Sequence, residues 1–291
     1  MRKVWRLFLL AIIVAAYAAA SPFGYGAFAL LRLLPTKDRN ARARKLHAIM
    51  RYAFTVLHDW LRAWSLLDFD PRISPGTLPD RPSVLVANHP AMSDVTTAFA
   101  AFDNLTTAVK PVLFRRWWLR PLLDGARFFE GAGDPLDAAH VIDAGVERIR
   151  EGFHVLIFPE GTRSPHDGLH RFGRTAFEIA CRADAPVVPI VIACNPIWLS
   201  KTRGLFSIPD ETPHVTLTAL TAVLPADHGF SSRTLRDVVE AHVRNRLGVT
   251  YVQAGGLENG TAAHGSNAHG SDPARSARTA GQEAHRRVLD A

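Results

Sequence analysis

The chain has 291 residues, of which 47% are hydrophobic and 21% are charged, and its formal net charge is +7. This apolar content allows a sizeable buried core and excludes both a disordered chain and a protein with many membrane spans. The two cysteines, Cys181 and Cys194, are too few for a disulfide framework or a four-cysteine zinc site. They are typical of a reducing, cytoplasmic compartment.

The positive charge is concentrated at the start of the chain. Residues 1–62 contain eleven Lys or Arg and two acids, a net charge of +9, whereas residues 63–254 contain nineteen bases and twenty-one acids. The basic excess therefore lies beside the most apolar part of the chain. This arrangement indicates contact with a membrane surface and not with nucleic acid.

Residues 7–20 form an uninterrupted apolar run that follows three basic residues, and the apolar character resumes after Pro22. About 25 such residues can cross a hydrocarbon core of about 30 Å, and a kink at the proline would instead let the segment re-enter. We therefore expect a retained, membrane-anchoring helical segment that spans or re-enters. A cleavable signal peptide is the alternative interpretation.

Apolar and aromatic residues recur every three to four positions over residues 40–67, among many bases. This spacing predicts an amphipathic helix at the membrane interface, or one that packs on the following domain. Residues 1–69 are thus predicted as an anchor and a basic amphipathic helix. Residues 115–120 also mix bases with two tryptophans, which indicates contact with lipid headgroups or simple packing.

Beyond a proline-rich linker at residues 70–82, apolar runs predict buried strands that alternate with helices. The predicted strands lie at residues 83–87, 153–158, 186–193 and 214–220, and the helices at residues 93–102, 138–151, 175–182 and 232–247. This alternation predicts one α/β domain at residues 70–250, with a mixed, mostly parallel sheet flanked by helices. Residues 251–291 have the composition of a disordered tail.

The first candidate site follows the predicted strand at residues 83–87, at the edge of the sheet where ligands bind. His89 and Asp94 are five positions apart across a proline-containing turn. The Asp94 carboxylate can turn back and accept a hydrogen bond from one imidazole nitrogen, which leaves the other nitrogen as a base for an external hydroxyl. A structural His and Asp on a loop is the alternative.

The second candidate site follows the predicted strand at residues 153–158, where a proline and a turn present an acid, a hydroxyl and a base. Its sequence is Phe158-Pro159-Glu160-Gly161-Thr162-Arg163-Ser164. The planar guanidinium of Arg163 suits a phosphate group, and Gly161 permits close approach of the backbone. From its residues alone, the segment is an anion-binding loop or an ordinary solvated turn.

Together the two motifs resemble the lysophosphatidic acid acyltransferase family, the glycerophosphate-type acyltransferases, over residues 80–225. His89 and Asp94 stand where that family has its His-x4-Asp block, and residues 158–164 match its third block residue for residue. Val188-Pro189-Ile190 stands where the family has a fourth, proline-containing strand.

The resemblance implies transfer of an acyl chain from acyl-CoA or acyl carrier protein to a lysophospholipid hydroxyl, with 1-acyl-sn-glycerol-3-phosphate as the expected acceptor. His89 would be the general base and Asp94 would orient it, with no cofactor or metal. The implied substrate-binding residues are Lys110, Glu160, Gly161, Thr162 and Arg163. Membrane lipids are then expected partners, nucleic acid is not, and the expected location is the inner membrane with the domain facing the cytoplasm.

The second family block departs from the family's pattern. Lys110 fits its Lys-x-x-Leu element, but Gly131 stands where the family has an arginine that binds the acceptor phosphate. Arg127 and Arg174 are candidate substitutes for that arginine. Alternatively, the acceptor lacks a terminal phosphate, as an ornithine-type lysolipid or an aryl-polyene-type metabolite does. A non-catalytic lipid-binding relative is a further hypothesis.

Overall fold

The computed structural model describes residues 2–33, 38–131, 137–165, 168–201 and 204–249. The chain begins with helix α1 (Arg2–Leu33) and helix α2 (Arg39–Ala63). Asp38 caps α2, because its carboxylate accepts a hydrogen bond from the backbone N–H of Asn40 at 2.8 Å. The tail predicted at residues 251–291 lies outside the described residues.

The predicted transmembrane helix is not supported. Among the residues that the structure describes, no helix has the length and apolarity needed to cross a membrane. One face of α1 instead packs on the domain, where Leu10 and Ile13 are buried in the core. The buried Arg6 guanidinium donates hydrogen bonds to the carbonyl oxygens of Ser65 and Asp210, each at 3.0 Å. Part of the apolar run that predicted a span therefore serves to dock α1.

The predicted amphipathic helix is present as α2, and its apolar face packs on the domain. Leu46 and Leu61 are buried on this face. The buried His47 side chain makes a hydrogen bond through Nε2 to the carbonyl oxygen of Ala126, at 2.7 Å. The structure thus bears out packing on the following domain, and contact of this helix with a membrane interface stays a prediction.

The described residues contain a seven-stranded sheet with the order β1-β7-β6-β2-β5-β3-β4. The strands are β1 (Asp68–Arg72), β2 (Val84–Ala87), β3 (Leu105–Val109), β4 (Phe129–Glu130), β5 (His154–Ile157), β6 (Val187–Asn195) and β7 (His214–Ala219). Every neighbouring pair is parallel except β6 with β7. The predicted mixed, mostly parallel sheet is therefore confirmed.

The remaining described α-helices lie between these strands, except α8, which follows the last strand. They are α3 (Asp94–Ala101), α4 (Pro111–Phe114), α5 (Arg120–Gly125), α6 (Ala138–Arg150), α7 (Thr175–Ala183) and α8 (Ser232–Leu247). Side chains of β2 alternate between two cores, with Leu85 on one face and Val84 and Val86 on the other. Because both faces are covered, β2 is apolar throughout, and the chain becomes polar only where it leaves the sheet.

The linker predicted at residues 70–82 starts later than expected. β1 extends through Arg72 and pairs with β7, so the predicted domain boundary between residues 69 and 70 falls inside a strand. Pro71 is tolerated there because β1 is the edge strand of the sheet. The parallel strands β2, β5, β3 and β4 all end at the same edge, which is where both sequence motifs lie.

Candidate active site

Asn88 fixes the point where the chain leaves β2. Its Nδ2 donates a hydrogen bond to the carbonyl oxygen of Ile192, and its Oδ1 accepts one from the backbone N–H of Ile192, both at 2.8 Å. These two bonds continue the pairing of β2 with β6 beyond Ala87 and Ile190, with a side chain in place of the backbone. The residue that follows, His89, therefore starts from a rigid position.

His89 and Asp94 form the hydrogen-bonded pair that their spacing predicted. His89 Nδ1 lies 2.9 Å from Asp94 Oδ2, which also accepts the backbone N–H of Ala91 at 2.7 Å. An ionised carboxylate only accepts hydrogen bonds, so Nδ1 carries the proton and Nε2 presents its lone pair. The imidazole stacks on the ring of Phe158 with a centroid distance of 4.3 Å. Its side chain is 20% exposed, and Asp94 is fully buried.

Burial gives Asp94 an unusual titration. Desolvation raises its pKa from 3.8 to about 6, against the opposing effect of the hydrogen bond from His89. Asp94 is therefore ionised above about pH 6 and protonated below it. The ionised form accepts a hydrogen bond from the Nδ1–H group of His89. This bond keeps the lone pair of Nε2 free to take a proton from a substrate.

Glu160 fastens the second motif to the first. The backbone N–H groups of His89 and His170 donate to its carboxylate at 3.0 and 2.9 Å, and the Ser164 hydroxyl donates to it as well. Ser164 also donates its backbone N–H to the carbonyl oxygen of His89, at 2.7 Å. Glu160 is buried, so the geometry gives it a positioning role. Its predicted contact with the acceptor stays a prediction.

The loop after Glu160 turns through Gly161, whose φ of +68° lies in the left-handed region. Gly161 and Thr162 are exposed at this edge of the sheet. Arg163 is half-buried, and its Nη1 donates to the carbonyl oxygens of Leu199 and Ser200 at 3.0 and 2.8 Å. The predicted phosphate ligand thus also ties its loop to the segment after β6.

The part of the site that follows β3 and β4 carries fewer contacts. Lys110 comes directly after β3, is exposed, and precedes α4 as its N-cap residue. Gly131 comes directly after β4 and donates its backbone N–H to the carbonyl oxygen of Val109 at 2.8 Å. Gly131 therefore lies at the same edge of the sheet as His89. It occupies the position at which the resembled family has a phosphate-binding arginine, and it has no side chain.

Of the two proposed substitutes, Arg127 does not replace that arginine in the structure, and the role of Arg174 stays a prediction. Arg127 is buried and paired with Glu151, and its carbonyl oxygen accepts from the Thr106 hydroxyl at 2.7 Å, near the start of β3. Arg127 therefore lies at the edge of the sheet opposite to His89. Arg174 is an exposed residue at the start of α7, with no part in the contacts that hold the two motifs together.

Several residues that position the site were not singled out from the sequence. They are Asn88, Ser164, and the carbonyl groups of Leu199 and Ser200. A polar residue after a buried strand was the available signal for Asn88, whereas the carbonyl acceptors have no sequence signal. Within the described part of the chain, no cluster of three or more His, Cys, Asp or Glu side chains is arranged to hold a metal ion.

The comparisons with known proteins agree with this geometry. A family model described as Acyltransferase matches residues 72–193. A 1-acyl-sn-glycerol-3-phosphate acyltransferase of Pseudomonas aeruginosa is 29% identical over 42% of this chain and 48% of its own length. A lyso-ornithine lipid O-acyltransferase of the same organism is 31% identical over 46% of this chain and 52% of its own. The chain thus spans about half the length of these curated relatives.

The fold has a solved counterpart in the crystal structure of the 1-acyl-sn-glycerophosphate acyltransferase PlsC from Thermotoga maritima. The TM-score is 0.63 at 24% identity, over 87% of this chain and 100% of that one. The matched segment contains both motifs and the sheet edge between them, and it is an acyltransferase domain. Within that class, the chain is similar to 1-acyl-sn-glycerol-3-phosphate acyltransferases, the family that its motifs resemble.

Proposed function

We propose that the protein transfers an acyl chain from acyl-CoA or acyl carrier protein to the hydroxyl of a lysolipid in phospholipid biosynthesis. Its first proposed acceptor is 1-acyl-sn-glycerol-3-phosphate. The observation that carries the proposal is the 2.9 Å hydrogen bond between His89 and the buried Asp94, at the end of a buried strand. The names of the two Pseudomonas aeruginosa relatives, both acyltransferases of lysolipids, support it.

In the proposed reaction, Nε2 of His89 accepts the proton of the acceptor hydroxyl while the hydroxyl oxygen attacks the thioester carbonyl carbon. A carbon–oxygen bond forms, the carbon–sulfur bond breaks, and the imidazolium returns its proton to the departing thiolate. Asp94 holds the ring in the required tautomer and stabilises the imidazolium. This route needs no acylated enzyme residue, cofactor or metal.

Charged groups at the same edge would bind the acceptor and the tetrahedral oxyanion. Lys110 is the exposed cation after β3, and Gly161, Thr162 and Arg163 follow the buried Glu160. A cation or backbone N–H group that faces the developing oxyanion lowers the barrier of acyl transfer. We assign Lys110 to the oxyanion or the acceptor phosphate, and Arg163 to the acceptor phosphate.

A second candidate acceptor is a lysolipid without a terminal phosphate, such as a lyso-ornithine lipid. Two observations favour it: Gly131 leaves the phosphate-binding position without a cation, and Arg127 is committed to Glu151 at the other edge. The lyso-ornithine lipid O-acyltransferase relative, at 31% identity, fits this acceptor class.

We further propose that the protein acts at a membrane, with the domain on the cytoplasmic side of the inner membrane. Support comes from α1, whose outward face exposes apolar side chains while its inner face packs on the domain. These side chains are Val4, Trp5, Phe8, Ile12 and Val14. Exposed apolar surface of this kind, next to bases, suits the interface between headgroups and acyl chains.

The proposal is tested by supplying the purified full chain with each acceptor and each acyl donor, and by lipid profiling of cells that express it. The comparison protein is the His89→Ala variant, checked for folding by circular dichroism. We expect an acylated lysolipid that appears with wild type and is absent with the variant. Product formation that does not depend on His89, or lysolipid binding with no transfer from any donor, would overturn it.

A further inference from the structure

A pocket of about 510 Å³ lies between the start of α2 and the segment that contains α4 and α5. We call it the arginine pocket. The charged residues that line it are Arg39, Arg42, Arg115, Arg120, Arg127 and Asp124. Its volume is in the range of small-molecule sites, but most such sites are lined mainly by apolar groups, whereas this one brings five guanidinium groups to one carboxylate.

Among the residues that the structure describes, carboxylates lie beside two arginines of the arginine pocket. Asp124 lies 3.6 Å from Arg120, and Glu151 pairs with Arg127. Arg39 and Arg115 are exposed on the wall of the pocket, and both add positive charge to it. Like charges in one concave site repel one another and raise the local potential, so an anion that enters the pocket is stabilised.

The arginine pocket is separate from the candidate active site. None of its lining residues belongs to either motif. Arg127 on its wall lies beside Thr106, near the start of β3, whereas His89 follows the end of β2, which runs parallel to β3 through β5. The pocket therefore reaches from the segment that follows the end of β3 to Arg127 at the opposite edge of the sheet, and its ligand need not be the acceptor of the proposed reaction.

We propose that the arginine pocket binds a phosphate-bearing ligand, either an anionic phospholipid headgroup or the nucleotide of coenzyme A. Arginine forks bind phosphate oxygens in pairs, which favours a phosphate group over a simple halide. Trp117, on the pocket wall, is 83% exposed and offers an aromatic face to a headgroup or a base. The coenzyme A alternative rests on the acyl donor of the proposed reaction, whereas the headgroup alternative is independent of that reaction.

The test compares the full-length wild type with the Arg39→Gln/Arg115→Gln variant. The matched control, Arg116→Gln/Arg150→Gln, also removes two positive charges, but from exposed positions that do not line the pocket. The first probe is free coenzyme A, and its binding is measured by isothermal titration calorimetry. The second probe is a phosphatidylcholine vesicle with or without phosphatidylglycerol, and its binding is measured by co-sedimentation. All of these arginines are exposed, so we expect each variant to fold, which circular dichroism checks.

We expect the pocket variant to bind one probe at least about tenfold more weakly than wild type, with the control close to wild type. Loss of coenzyme A binding would identify the nucleotide as the ligand, and loss of binding to phosphatidylglycerol vesicles would identify the headgroup. The proposal is overturned if wild type binds neither probe. It is equally overturned if the pocket and control variants weaken binding to the same extent, because that result reflects total charge alone.

Discussion

The chain leaves β2 and β4 at the same edge of one parallel sheet, yet the two exits are built very differently. After β2, Asn88 is bonded to Ile192, and His89 is held by Asp94, Glu160 and Ser164. After β4, Gly131 has one backbone hydrogen bond and no side chain. The first exit carries the groups that acyl transfer needs, whereas the second lacks the cation that would bind an acceptor phosphate.

This contrast separates reaction chemistry from acceptor recognition. A general base needs its tautomer and position fixed to within a fraction of an ångström, and the contacts around His89 supply that constraint. Recognition of a headgroup depends instead on individual charges, which a chain can lose without losing the reaction. The account therefore predicts strong effects for changes near β2 and weak, acceptor-specific effects for changes near β4.

The largest effect is expected for His89→Ala. Removal of the proposed base should lower acyl transfer by about a thousandfold, with folding unchanged because the ring is only partly buried. A radiolabelled acyl-transfer assay measures the loss. His140→Ala, which removes an exposed histidine on α6, is the control and should retain wild-type activity. If both variants are equally active, His89 is not the general base, and the contrast between the segments after β2 and β4 does not reflect the reaction.

The next largest effect is expected for Asp94→Asn, which should lower the rate of acyl transfer by about a hundredfold or more. The amide group can present Oδ1 to the N–H of Ala91, so the loop keeps its shape, but the preferred Nδ1–H tautomer of His89 is no longer enforced. Nitrogen-resolved NMR of the His89 ring checks the tautomer alongside the rate. A variant with normal rate and normal tautomer would show that Asp94 does not orient the base.

Activity should fall on the acid side as Asp94 takes up a proton. Since burial raises its pKa to about 6, the active carboxylate form predominates above that pH and is lost as the pH decreases through it. We expect kcat at pH 5 to be about tenfold below its value at pH 7. The pH profile of initial rates measures this. An acid limb near pH 4, the range of an ordinary carboxyl group, would contradict the assignment.

Glu160→Gln should have a smaller effect, about tenfold on kcat with little change in KM, because it loosens the loop that carries His89 without removing the base. The amide would place N–H donors against the backbone N–H groups that now donate to the carboxylate. Steady-state kinetics separates the two constants. Glu211→Gln, at an exposed position, is the control, and a rise confined to KM would instead favour direct contact with the acceptor.

An effect of similar size, but a gain in activity, is expected for Gly131→Arg. An arginine there restores the missing cation and should raise kcat/KM for 1-acyl-sn-glycerol-3-phosphate by about tenfold, with no gain for a lyso-ornithine lipid. A Cβ atom at this position would lie 3.4 Å from the carbonyl oxygen of Val109, a contact that needs only slight adjustment. Gly131→Gln controls for side-chain size, and an equal gain from it would remove charge as the cause.

The sequence predicted the central strands and the hydrogen-bonded pair of His89 and Asp94 because both rest on local patterns. β2, β5 and β6 are buried on both faces and so appear as apolar runs. β3 does not appear as an apolar run, because it contains two buried threonines. Their hydroxyl groups donate hydrogen bonds to distant carbonyl oxygens, Thr106 to Arg127 and Thr107 to Leu156. Those acceptors become neighbours only when the sheet forms.

The same distinction explains the site. The bond between His89 and Asp94 spans one turn, and its spacing is visible in the sequence. The contacts of Glu160 with His89 and of Arg163 with Leu199 join segments 71 and 36 residues apart. The family resemblance implied that both side chains bind substrate. Only the assembled sheet edge reveals that they hold the site together.

The most direct test of the account is a competition assay with the purified chain. Equal amounts of 1-acyl-sn-glycerol-3-phosphate and a lyso-ornithine lipid are supplied with one acyl donor, and mass spectrometry measures the product ratio for wild type and for His89→Ala. The account predicts that wild type acylates at least one of the two acceptors, and that the variant acylates neither. Product from the variant, or wild type that acylates neither acceptor with acyl-CoA or acyl carrier protein as donor, would contradict it.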